Sequence, residues 1–135
     1  MDLDPLLHAP LSVKIHLATV VPAFIIGTWQ IFFSRKGSVG HRTLGTVYLA
    51  LITVTAIDAL FIHTLMPQAP LGFSPIHLLI PLTLFGVTVA LMAARQHDIR
   101  RHRNAMIGVY VGAMLIAGSL TLLPGRILHA VVFGN

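Results

Sequence analysis

The sequence of 135 residues contains no cysteine. That absence removes disulfides, thiolate metal centres, iron–sulfur clusters and covalently attached haem. Charge is scarce too: 10% of the residues are charged, against about 25% in a soluble domain. A soluble core of this length could not hide a chain that is 56% hydrophobic, with mean hydropathy +0.85, so lipid must cover part of its surface. The excess of basic residues, net +5, could suggest nucleic acid. Those residues flank apolar runs, however, where they act as topology determinants, and nucleic acid is not an expected partner.

Four apolar runs are present: Leu11–Phe33, Leu44–Met66, Leu71–Ala94 and Ala105–Leu123. Each is close to the ~20 residues a helix needs to cross ~30 Å of hydrocarbon. Unpaired backbone groups are not tolerated in lipid, so helices are the expected form. The first run is too long for a signal-peptide core and lacks a basic leader, so it is expected to be retained. Pro22, Pro75, Pro81 and Pro124 are expected to kink or end helices.

Seven of the nine basic residues fall in two loops, Arg35, Lys36 and Arg42 in one and Arg95, Arg100, Arg101 and Arg103 in the other. Only Lys14 and Arg126 lie on the opposite side. The expectation is a multi-pass protein of the cell membrane, of bacterial inner-membrane type, with both loops cytoplasmic and both termini outside. A single four-helix transmembrane domain would fill the chain, residues 1–135.

The two halves look duplicated. His16-Leu17 and His77-Leu78 are 61 residues apart, and so are His41-Arg42 and His102-Arg103. Phe24/Phe85 and Ala56/Ala117 keep the same offset. Two hairpins in parallel orientation, related by an axis along the membrane normal, would account for it.

Eight histidines in so apolar a chain form the main chemical signal. His16 and His77 are expected near the outer face, His41 and His102 near the inner face, each pair drawn from alternate helices. In a four-helix bundle such helices face a shared interior. Opposed neutral imidazoles can ligate one haem iron axially, so two pairs would hold two b haems. Arg42 and Arg103 are placed to fork onto propionates. Gly27, Gly45, Gly86, Gly108 and Gly112 leave low bulk where a macrocycle could lie flat.

Asp58 is the sole acidic residue inside an expected span; with His63 it is the candidate proton-handling, catalytic group. The blander reading of Asp58 is a hydrogen bond from Thr53, Thr55 or Ser119. His63 and His129 fall on the outer side with His16 and His77, an arrangement that would also suit copper or zinc. His8 and His97 read as solvated. Interfacial histidines and topology charges without further role remain the general alternative. Trp29, Phe32 and Phe33 read as an interfacial belt; Tyr48 and Tyr110 read as core packing, with a cofactor hydrogen bond as the alternative.

His16, Gly27-Thr-Trp-Gln30, His41-Arg-Thr-Leu-Gly-Thr-Val-Tyr48 and His102-Arg-Asn-Ala-Met106 together resemble the membrane family called domain of unknown function 2306, from about His16 to Arg126. One histidine per core helix, paired between alternate helices, is also similar in architecture to the four-helix core of cytochrome b561 and related di-haem cytochromes. That second resemblance implies transmembrane electron transfer, with ascorbate, quinol or superoxide as reductant. It makes His16 with His77, and His41 with His102, the axial-ligand candidates; they are the metal-binding candidates as well. Two rival functions stand beside it: a haem-free accessory subunit of a membrane complex, and a metal carrier using the outer histidines. A homodimer or larger complex is compatible with so little sequence outside the spans.

Overall fold

Ser38 and Asp98 set where two of the long helices begin. Each side-chain oxygen accepts a backbone N–H three residues on, at 3.1 Å from His41 and 3.0 Å from Arg101, and so satisfies a donor that the first helical turn leaves orphaned. The computed structural model describes residues 2–62 and 75–134. Within them the chain forms α1 (Asp4–Leu7), α2 (Leu11–Phe32), α3 (Val39–Ala59), α4 (Leu79–Arg95, led by the 3-10 turn Pro75–Leu78) and α5 (Ile99–Val109). A π-helical stretch (Tyr110–Ile116) joins α5 to α6 (Ala117–Thr121), and α7 (Ile127–Phe133) follows.

Because of those caps, α3 and α5 start five and six residues earlier than hydropathy alone suggests, and His41-Arg42 and His102-Arg103 lie in helical turns. α2 continues past Pro22, which does not end it. Pro81 falls in the first turn of α4, where a missing N–H leaves no helical bond unmade.

α2 packs on α3 and α4 on α5, giving two hairpins joined through α3 and α4. The chain's two ends meet: α1 packs on α7, and Asp2 N–H donates to the Val131 carbonyl at 3.1 Å. Among the described residues three helical rods are long and apolar enough to cross a membrane: Leu11–Phe32, Val39–Ala59 and Ile99–Thr121. Leu79–Arg95 is apolar but shorter.

Polarity runs inside out. Gln30, Thr55 and Thr83 are buried, while Phe24, Trp29, Leu82 and Phe85 are exposed. In water this would leave a large apolar coat uncovered; in lipid it is the expected arrangement. Thr55 Oγ1 donates to Thr19 Oγ1 at 2.7 Å, tying α3 to α2.

The centre of the bundle is filled by Ala23, Tyr48, Ile52, Val109, Tyr110 and Met114. Gly27 permits it: a Cβ there would sit 2.8 Å from Tyr48 Cε2 and 3.0 Å from Tyr110 Cδ2. Tyr110 shares a 2.8 Å hydrogen bond with Thr28 and stacks on Phe24. The Tyr48 hydroxyl is buried with no hydrogen-bond partner among the described residues. Tyr48→Phe is therefore expected to leave the thermal midpoint unchanged or raise it, since an unsatisfied buried hydroxyl carries a penalty of about 1–3 kcal/mol. Thermal unfolding in detergent checks this; a clear fall would mean the hydroxyl has a partner.

Candidate histidine sites at the two ends of the bundle

The end defined by the α2–α3 turn holds His41, which is partly buried. Its Nδ1 lies 2.9 Å from Ser34 Oγ, and Gln30 Nε2 donates to its backbone carbonyl at 2.7 Å. Lys36 Nζ donates to the Gln30 carbonyl and, at 3.1 Å, to that of Ile31, closing the end of α2. Gln30 Oε1 stays buried without a partner among the described residues.

His102, from the second hairpin, is partly buried at the same end, its Nδ1 2.8 Å from the Ala90 carbonyl of α4. A carbonyl only accepts, so Nδ1 carries the proton and the neutral ring's lone pair sits on Nε2. Ser34 Oγ can fix His41 in the same tautomer. His41 and His102 lie within charge–charge range of each other. Arg42 and Arg103, one residue beyond, are exposed.

At the opposite end, His16 of α2 and Asp58 of α3 come together, Nδ1 to Oδ2 at 3.8 Å, with the Thr55 carbonyl facing the ring. Both atoms are buried and neither has a hydrogen-bond partner among the described residues. Thr53, Thr55 and Ser119 spend their hydroxyls elsewhere: Thr53 donates to Leu49, Thr55 to Thr19 and Leu51, Ser119 to Ile116. Asp58 is thus the neighbour of a histidine, a pairing that sequence reasoning missed because it depends on the relative rotation of α2 and α3. His77, in the turn before α4, has Nε2 3.3 Å from the Ile62 carbonyl, four residues beyond Asp58. His63 lies outside the described residues.

The remaining histidines are scattered. His8 is exposed beside Asp4, His97 is exposed with φ +57°, and the His129 ring packs on Phe133 within α7 at 4.8 Å. Among the described residues no three His, Cys, Asp or Glu side chains converge on a point suited to a metal ion. The glycines divide in use. Gly27 and Gly86 are filled by neighbouring side chains, Gly86 by Val109, and Gly45 faces Gln30. Gly108 and Gly112 border open space.

An inside-out helical bundle agrees with the result of comparison. Residues 13–133 match the family described as predicted membrane protein, DUF2306. The chain belongs to the DUF2306 family. No curated protein and no solved structure matches it. The match takes in both hairpins and α7, so His16, His41, Asp58, His77 and His102 all lie within the DUF2306 region. The match says that these are membrane proteins and assigns no chemistry to those residues.

Can these ends accept haem? The His41/His102 end fits on the chemistry of its donors: two imidazoles from different hairpins, His102 tied at Nδ1 by a carbonyl that leaves Nε2 for a metal, and His41 left the same way when the Ser34 hydroxyl accepts from its Nδ1. Such tying of the distal nitrogen is the usual support of a ligating histidine. The opposite end matches that rule less closely: His16 Nδ1 lies beside Asp58 without a hydrogen bond, and His77 turns Nε2 to the Ile62 carbonyl, which leaves its lone pair on Nδ1.

Proposed function

We propose that the chain crosses the membrane four times, with α4 and its leading turn as the fourth crossing, and serves as a b-type di-haem electron-transfer protein. The basic residues, seven against two, favour a cytoplasmic α2–α3 turn with both termini outside. The observation that carries the functional reading is the contact at the Nδ1 of both His41 and His102, which leaves one Nε2 from each hairpin that would hold a haem iron. His16 and His77 would form the outer pair. Seventeen residues of α3 separate His41 from Asp58, about 26 Å along the helix, so the two pairs would serve opposite faces.

Bound haem would supply a one-electron iron couple at each end. The protein's own tasks are then definite. The Ala90 carbonyl holds the His102 ring in one tautomer, Ser34 would do the same for His41, and the Asp58 carboxylate would attract His16 Nδ1 from 3.8 Å. Arg42 and Arg103 offer charge to propionates from exposed positions. Protons from a quinol donor would fall to Asp58 and His63.

A reduced-minus-oxidised absorption spectrum of the purified protein tests this. The expected result is a low-spin, bis-histidine b-type signature with about two haems per chain. A folded, colourless protein overturns it in favour of a haem-free accessory role; bound metal without a Soret band points to a metal carrier.

A further inference from the structure

Away from the histidines, α4 and α5 part along their outer side. A groove of about 520 Å³ runs between them, with Gly108 and Gly112 along it and Leu82 and Phe85, both strongly exposed, forming its wall. Its character changes along its length: one end is lined by Arg100, Arg101 and Asn104, the rest by apolar atoms. The one carboxylate at the polar end, Asp98, is already engaged as the cap of α5. Arg100 and Arg101 therefore make that rim cationic. Eleven residues separate Arg101 from Gly112, about 16 Å of helix. That is close to half of a ~30 Å hydrocarbon core.

An apolar channel one leaflet deep, open to the side and cationic at its mouth, has the dimensions of a phospholipid chain and the charge for an acidic headgroup. A second copy of the protein is the competing occupant, because the spacing Gly108-x-x-x-Gly112 allows close helix approach. Two copies related by an axis along the membrane normal would set their Arg100 and Arg101 rims side by side at equal depth, and like charges oppose that. We infer that the α4–α5 groove binds one anionic phospholipid of the arginine-side leaflet, its acyl chain over Gly108 and Gly112 and its phosphate at Arg100 and Arg101. Nothing in this inference depends on haem.

The full chain in mild detergent, titrated with phosphatidylglycerol or phosphatidylcholine of matched chains and followed by native mass spectrometry, provides the test. One phosphatidylglycerol per chain should bind about tenfold or more tightly than phosphatidylcholine. The double variant R100Q/R101Q should erase the preference. Gly108→Leu should weaken phosphatidylglycerol by about tenfold, because it fills the groove from a position with nothing within 4 Å of a new Cβ. If that variant loses helicity, Leu82→Trp obstructs the same groove from an exposed site. Equal binding of the two lipids overturns the inference. So does phosphatidylglycerol binding that depends on the arginines but survives both groove variants, which would be adsorption at the headgroups. Dimers that Gly108→Leu dissolves, without bound lipid, would give the groove to a second copy.

Discussion

His102→Ala is expected to lower the haem content from about two to about one per chain and to leave the outer centre's spectrum in place. His102 is partly buried, and its side-chain hydrogen bond goes to a helical carbonyl that keeps its place in α4. Losing that hydrogen bond costs about 0.5–1.5 kcal/mol, too little to unfold the bundle. Loss of haem would then report on ligation and not on folding. His41→Ala should do the same, and the double variant should be no worse than either, because each removes half of one axial pair. Ser34→Ala gives the graded version. It leaves the His41 ligand but frees its ring, and outer-shell changes of this kind weaken metal binding by about 10–100-fold. Retention of both haems in His102→Ala, by pyridine haemochromogen assay, would remove the inner pairing.

The second large effect belongs to Gly27. An alanine Cβ there meets Tyr48 Cε2 at 2.8 Å and Tyr110 Cδ2 at 3.0 Å. Tyr48 is 1% exposed and cannot swing away. Tyr110 is held by Thr28 and stacked on Phe24. Overpacking of this kind costs about 1–3 kcal/mol for the added methyl. Gly27→Leu brings three further carbons into the same space and is expected to prevent a stable bundle. Gly118→Ala is the control, with nothing within 4 Å of the new Cβ and a helix-propensity gain of about 0.5–1 kcal/mol. Thermal unfolding in detergent should rank them Gly118→Ala, native, Gly27→Ala, with Gly27→Leu lowest. A native-like midpoint for Gly27→Ala would show that the helices are not in contact there.

These two residues also show what can be read from one-dimensional pattern. The helices Leu11–Phe32 and Val39–Ala59 and the rod Ile99–Thr121 were legible because lipid selects on average hydropathy, which needs no knowledge of neighbours. The caps at Ser38 and Asp98 were readable in principle from residue type, but hydropathy overrode them, since the first turns of α3 and α5 are polar. The end of the helix on which His16, His41 and His102 fall was legible for the same reason as the spans. Histidine partners were not: His16 meets Asp58, and His102 meets the Ala90 carbonyl, only because of helix rotation and hairpin register, which no count along the chain contains. Gly27 shows the converse error. Its lack of a side chain was apparent, but whether a macrocycle or two tyrosines use that space depends on what lies across the bundle.

The sole indole of the protein, Trp29, stacks on Phe33 at the terminus of α2, beside the turn that leads to His41. Half exposed there, it makes intrinsic fluorescence a depth gauge for one rim only. Its emission wavelength follows the wetting of that rim, whereas the Asp58 end contributes no tryptophan light and must be watched by other means.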